Sequence, residues 1–312
     1  MATQIERFHI FFDACGIKKG DHIAICAKNT ARMAVSFLSV NTYEAVVVPI
    51  LSDFTPESVN HLVDHSESLI LFTDSDIWAK LDIQAMPRLK AVVSVNDFTL
   101  LWSAGEEVKA AFASVPEKLT AKYPMGFSRE NVKYNTDNWD DLDIINYTSG
   151  TTSAPKGVML TYGNLSSSIA FGHEHIPVHA DDSIVSMLPM AHIYGMVYEF
   201  LYPIAGGCTV YFLGKTPAPS LLLKAMHDVQ PFLVCTVPLV MEKVYKSSIM
   251  PILGKWYMKV LTAIPGVRRI IFNKVRSGLD TAFGGKVRSY IMGGAALNPE
   301  VEKCFKQIKL HY

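Results

Sequence analysis

Short apolar runs alternate with helical patterns from near the start of the chain. IAICA (23–27) precedes a helix-period stretch over 29–41, AVVVPI (45–50) precedes another over 56–66, and LILF (69–72) and AVVSV (91–95) continue the scheme. Later runs are DIINYT (143–148), SIVSML (183–188), CTVYFL (208–213), FLVCTV (232–237) and VRSYIM (287–292). Aliphatic and β-branched runs of this length, separated by helices, predict strands of mainly parallel sheets covered on both faces. The expected fold class is α/β: two α/β lobes flanked by helices, 1–180 and 181–312. A polar region, 103–141, interrupts the alternation. Its end, NTDNWDDLD, carries Asp137, Asp140, Asp141 and Asp143 and reads as a solvated loop feeding a strand. The last residues, QIKLHY, read as a strand broken off before its neighbour, so Tyr312 is expected to be a cut.

Composition narrows the classes without choosing one. The 312 residues are 49% hydrophobic and 19% charged, as in ordinary globular proteins. Lys plus Arg equals Asp plus Glu, 29 each, so no overall field recruits nucleic acid or an anionic membrane. Five scattered cysteines without CxxC spacing imply a reducing compartment, and the expected location is the cytoplasm. Cys26, Cys208 and Cys235 lie in apolar runs and read as buried, inert thiols. The segment IERFHIFFDACG is too broken by charge for a secretory signal. The most apolar window, 184–213, is interrupted by Pro189, His192, Glu199 and Pro203, which excludes a bilayer span.

The stretch YTSGTTSAPKGVML, 147–160, departs from both strand and helix patterns. It sets Thr148, Ser149, Thr151, Thr152 and Ser153 around Gly150, with Pro155 just before Lys156. A phosphate loop needs glycine where backbone meets oxygen, amides and hydroxyls that donate, and a cation. The strand-like DIINYT before it places this loop at a strand's carboxyl end, where open α/β sheets bind ligands. It is not the Walker pattern, because Pro155 and Gly157 stand where that motif needs Gly and Ser or Thr. Taken alone, five hydroxyls would read by default as a surface turn; glycine, proline and lysine at this spacing after a buried strand favour the phosphate loop.

These residues resemble the signature loop of the adenylate-forming superfamily, which holds acyl-CoA synthetases, luciferase and peptide-synthetase adenylation domains. The usual form has glycine where this chain has Ser153. SMLPMAHIYGMVYEFLYPIAGG (186–207) is similar to the segment that follows the loop there, and His192 takes the place of a side chain between the acyl pocket and the reacting carboxylate. On burial alone His192 would read as a core histidine. TVPLVMEKVYKSSI (236–249) resembles the long-chain fatty acyl branch. YIMGGAALNPEV (290–301) resembles the segment whose Gly293, Gly294, Ala295 and Ala296 backbone packs against adenine. The opening segment, 16–50, resembles the family's first helix–strand unit.

The resemblance implies an ATP-dependent, AMP-forming ligase: a fatty acid attacks the α-phosphorus of ATP, and the CoA thiol then displaces AMP. It implies that Thr148, Ser149, Gly150, Thr151, Thr152, Ser153 and Lys156 hold the nucleotide phosphates, with Thr148 beside Mg²⁺. His192 and Lys156 are the expected catalytic pair. The Gly-Tyr-Gly-x-Thr-Glu strand, the β-barrel and the C-terminal lid domain with its lysine lie outside the chain, so these residues alone are expected not to turn over. Alternatives are an aryl-acid or other carboxylate–CoA ligase, and a stand-alone nucleotide- or acyl-binding module. An amino-acid adenylation domain would need an aspartate near His192, and LPMAHIYGM offers none.

Other signals are weaker. His61 and His65 sit four apart, but HLVDH lacks the glutamate of HExxH and reads as a solvated helical face. GHEHIPVH, with His173, His175 and His179, reads as a polar loop. Residues 255–288 gather Lys255, Lys259, Arg268, Arg269, Lys274, Arg276, Lys286 and Arg288 against one acid, Asp280, beside Trp256 and Tyr257. A solvated helical pair is the favoured reading, with peripheral membrane contact as the rival.

Overall fold

The computed structural model describes residues 1–148, 155–214 and 219–312, with Pro219, Ser220 and Lys259 described by backbone alone. These residues form two compact units, one of Met1–Ser168 with Pro189–Ile193 and one of Ile169–Leu188 with Tyr194–Tyr312.

The first unit is built on a sheet of seven described strands: β1 His22–Cys26, β2 Val46–Ile50, β3 Ile70–Thr73, β4 Ala91–Ser94, β5 Leu100–Ser103, β6 Leu142–Thr148 and β7 Lys156–Thr161. Their order is β5-β4-β3-β1-β2-β6-β7. The five central strands run parallel, while β5 and β7 close the two edges antiparallel. Every residue of β2, β3 and β4 is buried, as the unbroken Val, Ile and Leu runs require when both faces are covered. The helix Ala2–Ala14 buries Phe8, Phe11 and Phe12, and Phe8 meets Phe72 of β3 edge to face at 5.0 Å. Thr30 caps the helix Ala31–Thr42 by accepting from Met33 N–H, and Thr55 caps Pro56–His65 from Ser58 N–H.

Two sequence expectations change here. The polar region carries the helices Glu106–Ala113 and Val115–Lys122 before its loop. Asp143, expected in a solvated run, is buried in β6 and accepts from Asn41 Nδ2 at 2.8 Å. Burial raises its carboxyl to about 7, and its other oxygen has no partner. Asp143 and Ile144 are consecutive and both buried, so this part of β6 is covered on both faces and the aspartate has no solvated side to turn to.

The second unit holds a four-stranded, wholly parallel sheet in the order β11-β10-β8-β9, with β8 Ser183–Ser186, β9 Thr209–Phe212, β10 Leu233–Thr236 and β11 Ser289–Met292. Its core joins Val185, Val234 and Tyr290 of the sheet to Phe272 and Leu279 of the helix Pro265–Ala282 and Phe305 of Pro299–Gln307. The ending QIKLHY is not a described strand. Gln307 closes a helix, and beyond it the His311 carbonyl accepts from Tyr290 N–H at 2.8 Å while Ile308 and Leu310 pack into the core. Cys26, Cys208 and Cys235 are buried and unpaired, and burial pushes the Cys26 and Cys208 thiols up to about 12.

A π-helical turn, Val197–Leu201, turns Glu199 fully into this unit's interior. Its Oε2 accepts from Met187 N–H at 2.8 Å and Leu188 N–H at 2.7 Å, so one carboxyl oxygen satisfies the two amides that leave the end of β8. Burial nonetheless raises the carboxyl to about 8, against the opposing pull of those amides and the Ser186 hydroxyl.

Candidate functional site

Strands β6 and β7 form an antiparallel hairpin in which Thr148 faces Lys156 and Tyr147 faces Gly157. Both Thr148 and Lys156 are exposed. The lysine therefore starts the return strand directly opposite the last residue of the outgoing one, at the carboxyl end of β6. Ser149, Gly150, Thr151, Thr152 and Ser153 lie outside the described residues. Gly157 has a local cause: a Cβ there would stand 2.8 Å from Cγ2 of Ile145. The Tyr147 ring lies 3.5 Å from the same position, and its hydroxyl shares a hydrogen bond with His65 Nδ1 at 2.7 Å. That contact fixes one of the two histidines on the exposed face of Pro56–His65.

His192 is exposed, contrary to the core placement that burial statistics favour. Its segment is held by two asparagines of the same unit. Asn146, a buried polar residue in β6, donates from Nδ2 to the Ala191 carbonyl at 2.9 Å. Asn29, just past β1, accepts from Met190 N–H through Oδ1 at 2.9 Å. The His192 N–H closes a turn onto the Pro189 carbonyl at 3.0 Å. Both asparagines stand at or beyond the carboxyl ends of parallel strands, so hairpin and histidine segment share one edge of the sheet in this unit. Neither asparagine was identified from sequence. An asparagine inside the apolar run DIINYT is the signal that could have found the first, because a buried amide needs a partner. Asn146→Ala leaves the buried Ala191 carbonyl unpaired and is expected to lower unfolding free energy by about 1–3 kcal/mol. Urea denaturation of the two proteins measures this, and equal stabilities would mean that the bond carries nothing.

Gly293–Ala296 follow β11 in the second unit. Gly293 N–H continues the ladder onto the Thr236 carbonyl at 3.2 Å, and Gly294 has φ +88°, a backbone that favours glycine. A Cβ on Gly293 would lie 3.0 Å from the ring of Tyr194. The Tyr194 hydroxyl donates to the Ile291 carbonyl at 2.9 Å, with the Thr236 carbonyl at 3.2 Å. The glycine thus accommodates a flat ring supplied by the protein itself, a reason for it that the sequence did not disclose. Gly294, Ala295 and Ala296 are exposed backbone beyond that ring.

No group of three or more His, Cys, Asp or Glu side chains among the described residues is placed to hold a metal ion. His173 and His175 lie in the helix Tyr162–His175 rather than in a polar loop; His173 packs on Tyr202 with ring centroids 4.9 Å apart, and His175 bonds the Phe171 carbonyl. At the hairpin the described donor is one hydroxyl, on Thr148. Magnesium prefers to keep waters and phosphate oxygens, so this donor suits an ion that arrives already bound to a nucleotide.

The two parallel-rich sheets, their non-sequential strand order and the hairpin at one carboxyl edge define an α/β protein with a candidate anion site in its first unit. The sequence matches the family of AMP-binding enzymes over residues 1–310, and the chain belongs to that family. It is 26% identical to the peroxisomal long chain acyl-CoA synthetase 6 of Arabidopsis thaliana over 315 residues, 93% of this chain and 43% of that protein. Against the long-chain-fatty-acid–CoA ligase 5 of Rattus norvegicus it is 26% identical, over 95% of this chain and 46% of that one. The chain therefore spans less than half the length of these curated relatives. Its fold is also that of the anthranilate CoA ligase AuaEII, crystallised with anthranoyl-AMP, at a TM-score of 0.72 and 13% identity over 98% of this chain and 52% of that one. No described helix is long and apolar enough to cross a membrane.

Proposed function

We propose that this chain is the N-terminal AMP-binding portion of a long-chain fatty acid–CoA ligase. The observation that carries the reading is the hairpin register: Lys156 stands opposite Thr148 at the carboxyl end of β6, in the unit whose Asn146 also holds the His192 segment. The two curated relatives described above are long-chain acyl-CoA synthetases by name, which supports the choice of acid.

In this reading a carboxylate oxygen attacks the α-phosphorus of ATP, the bond to the bridging oxygen breaks, and pyrophosphate leaves. The CoA thiolate then attacks the acyl carbon, and the bond to AMP breaks. Both reactants of the first step are anions, so the protein's task is to hold them together and neutralise charge growing on the leaving group. Lys156 and residues 148–153 grip the β- and γ-phosphates, and Thr148 would help hold a magnesium ion brought by the nucleotide, which would offset phosphate charge. Gly293–Ala296 seat the adenine, and His192 orients the fatty carboxylate. The expected compartment is the cytoplasm.

A second reading, an aryl-acid–CoA ligase, draws support from the likeness to the anthranilate ligase. ATP–pyrophosphate exchange separates the two. Palmitate is expected to drive exchange by the full-length gene product well above benzoate or anthranilate, and the 312 residues alone are expected to give none. The reverse acid preference would replace the first reading with the second. Nucleotide binding without exchange on any acid would leave a non-catalytic binding module.

A further inference from the structure

The basic stretch 255–288 forms the helices Trp256–Leu261 and Pro265–Ala282, and the longer one borders a groove of about 820 Å³ together with Pro299–Gln307. Recesses of roughly 300–1,000 Å³ are the size that small molecules occupy. Arg268 and Arg269 line this one from the long helix, Lys303 and Lys306 from the other, and Lys309 from just past that helix's end. Arg268 is held in place: its guanidinium lies 5.2 Å from the centre of the buried Phe272 ring, which also lines the groove.

The charges around this groove are one-sided. Glu302 is the one acid lining it among the described residues, and Lys306 takes that acid at 2.6 Å. Among the described residues no acid forms an ion pair with Arg268, Arg269, Lys303 or Lys309. The chain as a whole has zero formal net charge, so this is a local accumulation. Like charges bordering one recess repel, which costs stability unless an anion lies between them. The start of the long helix adds to the same field. Ile264 offers no side-chain cap, the first turn holds no acid, and two arginines follow where a helix N-terminus favours negative charge.

We propose that this groove binds a small soluble molecule carrying two or more phosphate groups. Arg268 and Arg269 take one phosphate through their planar forks, and Lys303 and Lys309 take another as point charges. A single phosphate or carboxylate would answer one or two of these cations and leave the rest repelling each other. Cations that border one recess from two helices suit a compact ligand that enters between them, rather than a flat anionic layer that passes over the rim. This inference goes beyond the proposed ligase reading, because none of Thr148, Lys156, His192 and Gly293–Ala296 lines the groove.

Titration calorimetry of the full-length gene product tests it with inositol hexakisphosphate, a compact polyphosphate that has no base, ribose or acyl chain. Binding is expected to be about a hundredfold or more tighter than that of orthophosphate and to weaken steeply in 0.5 M NaCl. R268E/R269E and K303E/K309E are each expected to weaken it by about tenfold or more. Neither variant should melt below the parent, since both relieve repulsion and the first suits the helix start. Lys156→Ala is expected to leave this binding unchanged, which separates the groove from the nucleotide site. The two groove variants are also expected to keep the parent's ATP–pyrophosphate exchange. A protein that shows no exchange yet binds the hexakisphosphate through these four cations would refute the ligase reading and support this one. Orthophosphate binding as tightly as the hexakisphosphate would overturn the proposal, as would parental affinity in either groove variant or binding lost in Lys156→Ala. Tighter binding to phosphatidylglycerol vesicles or to single-stranded DNA than to the hexakisphosphate would overturn it too.

Discussion

In the proposed ligase, Lys156→Ala lowers kcat/KM for acyl-adenylate formation by about ten- to 150-fold. The estimate follows from the loss of one charge-assisted contact to phosphate, worth roughly 1.5–3 kcal/mol. The geometry makes the effect selective. Lys156 is exposed, opens the edge strand β7 and, among the described residues, carries no ion pair, so its removal leaves no buried group without a partner. Stability should therefore stay within the ±0.5 kcal/mol usual for surface substitutions. Lys156→Arg keeps the charge but changes a point donor into a planar fork, and should recover only part of the rate. Pyrophosphate exchange under subsaturating ATP reads the first number and thermal melting the second. An alanine variant with parental exchange would remove the lysine from the phosphate site, and one that melts well below the parent would make its role structural.

The second large effect is one of pH. Glu199 has its carboxyl raised from 4.5 to about 8 in the folded chain. Below the unfolded value the carboxyl is protonated in both states, and the folded state carries no ionisation penalty. Between about 4.5 and 8 the unfolded chain has lost this proton while the folded chain still holds it, so stability falls as pH rises. Above 8 the penalty is complete. Linkage sets the slope at about 1.4 kcal/mol per pH unit within that window, so the whole effect is a few kcal/mol. Asp143, raised from 3.8 to about 7, acts in the same direction over its own window. Glu199→Gln isolates the first group. The amide can still accept from Met187 and Leu188 N–H, and whatever fixed cost its NH₂ brings does not change with pH. Relative to the parent, the variant is expected to gain stability steadily from pH 5 to pH 8.5. A difference in melting temperature that is flat across that range would mean that Glu199 does not titrate there.

The parallel strands were legible because a strand covered on both faces must be apolar at every position, and runs such as AVVVPI have few other uses. The two strands missed, β5 and β7, are the antiparallel edges. LLWS is half-buried along its length, and in KGVMLT four of six positions face out. Their apolar runs, 100–102 and 158–160, are only three residues long, shorter than the runs that mark the central strands, because an edge strand need not be apolar throughout. The misread ending has the opposite cause. Ile308 and Leu310 are apolar because they pack into the core after a helix, not because they lie in a strand. At the site, Lys156 and Thr148 could be singled out because glycine, hydroxyls and a cation together have a specific use. Their facing register could not, since it depends on where the hairpin turns. The supports, Asn29 and Asn146 on the His192 segment and Glu199 on the end of β8, are contacts across many residues of chain. A single asparagine or glutamate in an apolar stretch announces that a partner exists but not which one.

The facing of Thr148 and Lys156 also limits how this edge can change over evolutionary time. Side chains on a strand alternate faces, so gaining or losing one residue between Lys156 and Thr161 would swing the ammonium to the sheet's other side. An even number of residues would preserve its side, and additions confined to 149–154 would leave the strand's parity intact. Length variation among descendants of this chain should therefore gather between positions 149 and 154 and spare the six residues that follow Pro155.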